Sequence, residues 1–141
     1  MSLSSLSPSE HAILYGPDRP DFLQQECLAD LLEATAARSP DKTALIDGAR
    51  SLTYAQLNEQ AAVIAAGLLA AGAGPGKIVG LWMPRGLDLL VAQAAIAKTG
   101  AAWLPMDADV PAERVQVCLD DANACGLLRS RSEEHTSELQ S

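Results

Sequence analysis

Hydrophobic residues recur at helical spacing in four segments of the chain, and each segment predicts a helix. The segments are 28–38, 53–71, 87–98 and 111–121. Their ends carry residues that start and stop helices. Thr53 and Gln56 have the spacing of a capping box, Gly100 follows the third segment, and Pro111 suits the first turn of the fourth. The segment 87–98 has few polar positions, which predicts a largely buried helix.

Short apolar runs lie between these helices and are typical of strands. The runs are 43–46, 77–83, 102–104 and 124–128. The run 77–83 is apolar on both faces, as central strands of parallel sheets are, and Asp47-Gly48 is a turn dipeptide. Because strands alternate with helices, we expect a parallel sheet with right-handed crossovers. The sequence therefore predicts an α/β fold with a partial parallel sheet of Rossmann-like βαβ units.

The start of the chain differs in composition from this central unit. Residues 1–21 are rich in Ser, Pro and Asp and predict a flexible lead, without the basic region and apolar run of a secretory signal. The apolar stretch 87–97 is too short to cross a bilayer. Cys27, Cys118 and Cys125 lack metal-ligand spacing, and reduced thiols favour a cytoplasmic protein.

The overall composition is that of a soluble globular domain, with 48% hydrophobic and 20% charged residues. Aromatic residues make up only 4%, so the core must consist mainly of Leu, Ile, Val and Ala. The formal net charge of -8 argues against nucleic acid or an anionic membrane as a partner.

A glycine-rich loop at 72–76 has the wrong position for a phosphate-binding loop. A phosphate loop follows a strand and opens a helix, so that helix N–H groups face the anion. Here the loop follows a predicted helix and precedes a predicted strand. The loop also departs from the P-loop pattern, because Ala71 and Ile78 occupy the positions of the first glycine and the final Ser or Thr.

Other polar residues are also more simply explained by structure than by chemistry. Asp107 and Asp109 have no calcium-loop spacing and are expected to hold turn and helix-entry geometry. Lys77 and Lys98 lie at element ends, where we expect them to be solvated. Trp82 and Trp103 are expected in the core. The remaining candidates are Asp120 and Asp121, together with His11 and His135, which lie in the lead and the tail. The sequence therefore predicts no catalytic, cofactor-binding or metal-ligating residue in this chain.

Two blocks of the sequence resemble motifs of the amino-acid-adenylating enzymes, the branch of the adenylate-forming ligases that serves nonribosomal peptide synthesis. The block 52–57 (LTYAQL) is similar to Leu-Thr-Tyr-x-Glu-Leu. The block 97–114 (AKTGAAWLPMDADVPAER) is similar to Leu-Lys-Ala-Gly-x-Ala-Tyr-Val-Pro-Leu-Asp followed by Pro-x-Glu-Arg, with Thr99, Trp103 and Met106 as mild substitutions. The resemblance implies that 22–128 is a truncated N-terminal part of an AMP-dependent synthetase/ligase domain.

The resemblance also implies an ATP-dependent reaction for the parent enzyme. An amino acid and ATP give an aminoacyl-adenylate and pyrophosphate, with Mg²⁺, and the acyl group passes to the phosphopantetheine thiol of a carrier domain. In this family the phosphate loop, the nucleotide-binding acid, the amino-acid pocket and the catalytic lysine come later in the chain. We therefore expect this chain to be inactive alone, which leaves its classification as an enzyme open.

Two alternatives stay open at the level of sequence. One is a fragment of an acyl-coenzyme A synthetase, although the residues of the block 97–114 resemble the amino-acid-activating enzymes more. The other is a stand-alone small α/β binding module that reuses the fold without the chemistry. The segment 15–23 also resembles the lead of large bacterial enzymes related to poly-amino-acid synthetases.

The end of the chain resembles a translated sequencing adapter. Residues 131–141 (RSEEHTSELQS) match the codons of a common short-read adapter in order. We therefore predict that 129–141 is an artefactual tail and exclude it from reasoning about the fold.

Overall fold

The computed structural model describes residues 16–131, in which four α-helices and five strands follow a short 3₁₀ turn at Pro20–Phe22. The helices are α1 (Leu28–Arg38), α2 (Tyr54–Ala70), α3 (Leu87–Thr99) and α4 (Ala112–Asp121). The strands are β1 (Thr43–Asp47), β2 (Arg50–Thr53), β3 (Ile78–Trp82), β4 (Ala102–Met106) and β5 (Gly126–Arg129). Every predicted helix is confirmed to within two residues at each end. The predicted flexible lead at 1–21 falls largely outside the described residues.

The first sheet is a two-stranded antiparallel hairpin, in which β1 pairs with β2 around the turn at Gly48. The turn at 47–48 was predicted, but β2 was not. The segment 50–53 contains one large apolar residue, Leu52, so its hydrophobic pattern is too weak to indicate a strand. The pairing itself comes from the neighbouring strand, which supplies the hydrogen bonds of the ladder.

The second sheet is parallel and has the strand order β4-β3-β5. This arrangement confirms the predicted α/β fold with a parallel sheet. Strand β3 is central, and both Val79 and Leu81 are inaccessible to solvent. Strand β5 pairs with β3 as far as Trp82 and Arg129, so it extends one residue beyond the predicted boundary at 128.

Helices cover both faces of the parallel sheet. Val79 and Leu81 point to one face, where they pack in one cluster with Ala92 and Ile96 of α3. Gly80 points to the opposite face, where α4 approaches so closely that a Cβ at this position would overlap the Leu119 side chain. The glycine therefore permits the close packing of α4 against the central strand.

A layer of helices stacks outside α3. Ala61 and Ala65 of α2 meet Ala95 of α3, and these small side chains allow the two helices to pack closely. A second cluster joins Leu57 and Leu87 and extends to the hairpin through Leu45 and Leu52. Within residues 16–131, no helix is long and apolar enough to span a membrane.

The predicted burial of α3 is confirmed for most of its apolar residues, although Leu90 is 46% exposed. The structure corrects the expectation that Lys98 would be solvated. Its side chain is only 8% exposed, and its Nζ lies 2.8 Å from Glu33 Oε1 of α1. Lys98 is buried because α1 folds back over the end of α3, which the spacing along the chain does not reveal.

The two tryptophans are half-buried rather than fully in the core. Trp103 packs at the border of the cluster around Val79. Trp82 ends β3, and its buried Nε1–H has no acceptor among the described residues. The Trp103 ring therefore covers the core with one side and meets the surface with another.

Candidate functional site

The first motif block, 52–57, forms the start of α2. Thr53 Oγ1 accepts a hydrogen bond from the Gln56 N–H at 3.2 Å, and Gln56 Oε1 accepts one from the Thr53 N–H at 2.9 Å. This is the predicted capping box. Leu57 is buried one turn later and contributes to the packing against α3. The block therefore fixes where a helix begins.

The second motif block, 97–114, joins α3 to α4 through β4. Gly100 has the left-handed φ of 81° that ends α3, and a Cβ there would lie 3.1 Å from the Pro75 ring. The buried Thr99 hydroxyl donates to the Ile96 carbonyl at 2.6 Å and accepts from the Ala101 N–H at 3.2 Å. These bonds satisfy the polar groups at the buried end of the helix.

The turn after β4 is closed by the main chain. The Val110 N–H donates to the Asp107 carbonyl at 3.1 Å, and Pro111 stands at the N-cap of α4. Asp107 and Asp109 are both exposed. Within residues 16–131, neither carboxylate makes a hydrogen bond, so the expected side-chain role at the helix entry is absent from this part of the chain.

The start of α3 is held by the β1–β2 hairpin. Asp47 Oδ2 accepts a hydrogen bond from the Leu87 N–H at 3.2 Å, and Arg50 Nη2 lies 3.2 Å from Asp88 Oδ1. A carboxylate at a helix N-terminus satisfies a free N–H group and interacts favourably with the helix dipole. Sequence reasoning assigned Asp47 to the turn alone, because its partner lies 40 residues away.

A groove lies near the carboxyl ends of β3 and β5. In doubly wound sheets with this strand order, ligands bind in the crevice where the order reverses, which here lies between β3 and β5. The groove has a volume of about 360 Å³. Its apolar wall is made of Ile64, Met83, Val91, Ala92 and Leu128, and its polar rim of Gln60, Asp88, Arg129, Ser130 and Arg131. We call this cavity the α2–β5 groove.

The polar rim of the α2–β5 groove contains no pair of groups suited to nucleophilic or general acid–base catalysis. Asp88 is engaged by Arg50, and both histidines lie outside the described residues. Within residues 16–131, no group of three or more His, Cys, Asp or Glu side chains could hold a metal ion. The prediction of no site residues in this chain stays a prediction.

The glycine-rich loop 72–76 lies at the other end of the parallel sheet, before β3. Its chain is tied by main-chain bonds, with the Lys77 N–H donating to the Gly74 carbonyl at 3.0 Å. The Ala102 N–H donates to the Lys77 carbonyl at 2.9 Å, which aligns the starts of β3 and β4. This loop therefore connects α2 to the amino end of β3, and it lies at the end of the sheet opposite the groove.

A family model described as "AMP-binding enzyme" matches residues 32–141. The chain belongs to this family. The resemblance of blocks 52–57 and 97–114 to motifs of adenylate-forming enzymes is thereby confirmed, and both blocks are structural elements of an AMP-binding enzyme fold.

Curated relatives include large peptide synthetases. Delta-poly-L-ornithine synthetase of Acinetobacter baumannii is 49% identical over 128 residues, which cover 90% of this chain and 10% of that protein. The dimodular nonribosomal peptide synthase of Bacillus subtilis is 37% identical over 129 residues, covering 90% of this chain and 5% of that protein. The chain thus spans a tenth or less of the length of these relatives.

Solved structures with the same fold include NpsA of Klebsiella oxytoca. Its N-terminal subdomain is 30% identical, with a TM-score of 0.65, over 79% of this chain and 29% of that chain. An artificially fused NpsA-ThdA adenylation–PCP di-domain is 29% identical, with a TM-score of 0.69, over 77% of this chain and 21% of that chain. The fold of this AMP-binding enzyme chain is therefore that of part of an adenylation-domain N-terminal subdomain.

Proposed function

We propose that this chain is the N-terminal part of an ATP-dependent ligase that activates an amino acid as its aminoacyl-adenylate. In the proposed reaction, the amino-acid carboxylate attacks the α-phosphorus of ATP and releases pyrophosphate, with Mg²⁺ bound to the nucleotide. The phosphopantetheine thiol of a carrier domain then attacks the acyl carbon, which forms a thioester and releases AMP. The proposal includes a cytoplasmic location, where ATP is available. The observation that carries the proposed function is the match to the AMP-binding family, and the peptide-synthetase relatives support it.

Within that parent enzyme, the residues described here act as scaffold. The capping box at Thr53 and Gln56 fixes α2, and Asp47 holds the start of α3. The segment from Gly100 to Pro111 contains β4 and places this strand against the central strand β3. The proposed chemistry therefore requires residues beyond this part of the domain.

The chain alone is accordingly expected to give no amino-acid-dependent exchange of pyrophosphate into ATP. The measurement uses residues 1–141 with each of the common amino acids and L-ornithine, against a blank without protein. The full-length parent is the matched positive control. Exchange above the blank by residues 1–141 would overturn the proposed division between scaffold and catalytic parts.

The parent is proposed to belong to the branch that makes poly-amino acids. The support is the 49% identity to Delta-poly-L-ornithine synthetase over 90% of this chain, together with the resemblance of segment 15–23 to such enzymes. L-ornithine is therefore the first substrate to test in the full-length parent. Exchange that requires fatty acids instead would favour the acyl-coenzyme A synthetase alternative.

The domain limits are tested at the source locus. We propose that 22–128 is a truncated domain and that 129–141 derives from adapter sequence. Resequencing across the codons for Leu128 to Ser141 is the direct test. A reading frame that continues into a Ser/Thr/Gly-rich phosphate loop would support the parent ligase. A genuine stop after Ser141 would contradict it and favour the small α/β binding module.

A further inference from the structure

Large apolar side chains are exposed in a group just before α1 and in its first turn. They are Phe22 at 68% exposure, Leu23 at 81%, Leu28 at 63% and Leu31 at 45%. Leu28 and Leu31 are three residues apart in a helix and therefore share a face. The other large apolar residues that are exposed among residues 16–131 are scattered along the chain, whereas a group of them marks an interaction site. We call these four side chains the lead–α1 surface.

The turn that carries Phe22 is held in a defined shape. The Phe22 N–H donates to the Arg19 carbonyl at 3.0 Å, and the Leu23 N–H donates to the Pro20 carbonyl at 3.1 Å. Arg19 Nε and Nη2 both donate to the Asp21 carboxylate, at 3.0 and 2.7 Å. The Arg19 guanidinium also lies 4.1 Å from the centre of the Phe22 ring, as in a cation–π contact. The ring is therefore presented on a hydrogen-bonded turn, and most of it stays open to solvent.

The similarity to the synthetases extends into this part of the chain. The AMP-binding family model begins at residue 32, so the lead–α1 surface lies before it. The matches to Delta-poly-L-ornithine synthetase and to the dimodular synthase each cover 90% of this chain, which is more than residues 32–141 supply. Both matches therefore include residues before 32. The segment accompanies the AMP-binding domain in these relatives without belonging to the family model.

The chain before residue 16 supplies an apolar segment next to this surface. Residues 1–15 end at Tyr15, and only Gly16 to Asp21 separate them from Phe22. Their longest apolar run is 12–15 (AILY). Gly16-Pro17 is a turn dipeptide, and closing so short a loop costs little entropy. A tethered segment also has a high local concentration, which favours it over a second copy of the chain.

We propose that the run 12–15 folds back across the Gly16-Pro17 turn and packs on the lead–α1 surface. Its apolar side chains cover the open part of Phe22 and Leu23 and extend toward Leu28. Removing this apolar surface from water is the physical gain of the contact. The folded unit then begins near residue 12, ahead of both the predicted boundary at 22 and the family match at 32. This inference does not depend on which carboxylate substrate the parent activates.

The test is an NMR measurement on residues 1–141, in which Phe22 is the single phenylalanine. The ring signals of Phe22 are therefore identified by residue type alone. The chain is prepared with protonated phenylalanine rings and with protonated Ile and Leu methyl groups in a deuterated background. We expect nuclear Overhauser effects between the Phe22 ring and the methyl groups of Ile13 or Leu14. A mixture of differently labelled chains separates contacts within one chain from contacts between copies.

A matched pair of variants gives an independent readout by amide hydrogen exchange. Leu14→Asp places a charge in the proposed contact and should speed the exchange of the Leu23 and Leu31 amides at least about tenfold, because both lose the cover over their local hydrogen bonds. Leu6→Asp is the control, since it makes the same change in the lead but outside the run 12–15. Its effect on these two amides should stay within about twofold. Neither position lies in a helix or strand of residues 16–131, so both variants should retain the circular dichroism spectrum of the unmodified chain.

Three results would overturn the proposal. The first is the absence of any Overhauser effect between the run 12–15 and the Phe22 ring. The second is an effect seen only between differently labelled copies, which would assign the lead–α1 surface to a second copy of the chain. The third is equal exchange of the Leu23 amide in Leu14→Asp and Leu6→Asp. Because no substrate is present, failure of the proposed ligase function would not change any of these results.

Discussion

At the residue scale, the termini of helices depend on single side chains that satisfy main-chain N–H groups. Asp30 reaches back to the start of α1 and accepts hydrogen bonds from the Cys27 N–H at 3.0 Å and from Cys27 Sγ at 3.1 Å. Thr53 and Gln56 act in the same way at the start of α2. The first turn of a helix has no internal acceptors for these groups, so the side chains supply them.

Asp30 is expected to titrate below the ordinary aspartate pKa of about 3.9. The Cys27 N–H and then the Cys27 thiol favour the carboxylate and lower the pKa of Asp30. A lowered pKa in the folded state adds stability above the unfolded pKa, and this contribution is lost as the pH falls through the folded pKa. An NMR titration of the carboxyl carbon checks the shift, with Asp30→Asn removing the signal. An Asp30 pKa above about 3.9 would contradict the geometry.

Thr53→Ala is expected to lower the free energy of unfolding by about 1 kcal/mol, because the substitution removes the N-cap acceptor of α2. Urea denaturation followed by circular dichroism measures the change. Thr53→Ser keeps the hydroxyl and is the matched control, with an expected loss below about 0.5 kcal/mol. Equal losses for the two substitutions would show that the methyl group of Thr53 matters and the hydrogen bond does not.

At the element scale, the molecule is held together by contacts between segments that are distant in the sequence. The hairpin caps α3 through Asp47, and α1 is joined to α3 by the ion pair of Glu33 and Lys98. The second link is asymmetric, since Lys98 is 8% exposed and Glu33 is 59% exposed. Removing the acid leaves an ammonium group with little access to water, whereas removing the lysine leaves a carboxylate that water can solvate.

Glu33→Gln is therefore expected to destabilise the chain by about 1 kcal/mol, because the buried Lys98 ammonium loses its charged partner. Lys98→Met fills the same space without a charge and should cost less. The double variant, measured by urea denaturation, should give a coupling energy of about 0.5 kcal/mol or more. Additive effects of the two substitutions would contradict a coupled pair.

At the whole-molecule scale, the core is small for the size of the chain. Within the described residues, the large side chains that are fully buried are Leu81, Ile96 and Val79. Much of the packing between α2 and α3 consists of alanine side chains. Among residues 16–131, one side of α2 and the outer edge of β5 are left uncovered, so apolar surface stays in contact with water. A chain with this much uncovered apolar surface buries less apolar area than a fully packed domain of equal length.

Residues 1–141 are therefore expected to melt below about 45 °C, the lower end of the usual range for small domains. Calorimetry of the chain alone measures the midpoint. Addition of the domain part that is proposed to follow residue 128 should raise the midpoint, because a partner that binds only the folded state stabilises that state. A sharp transition above about 65 °C for the chain alone would contradict the inference that its packing is incomplete.

The sequence predicted the helices well because their signals are local. Gly100 ends α3 and Thr53 begins α2 through groups that lie within four residues of one another. The strand β2 was not predicted, since its ladder depends on β1 and its own pattern is short. For the candidate site, the two motif blocks pointed to the family, but the α2–β5 groove could not be predicted. It is built from segments that lie more than 60 residues apart in the chain.

The sequence by itself determined the order of the helices and of every strand except β2, the main caps and turns between them, and the likeness to the AMP-binding enzymes. These features depend on short-range hydrogen bonds and on hydrophobic spacing, which the order of residues records directly. The tertiary structure decided the burial of Lys98, the capping of α3 by Asp47 and the uncovered side of α2. Each of these depends on how distant segments share the limited space around one parallel sheet, and neighbouring residues do not specify that arrangement.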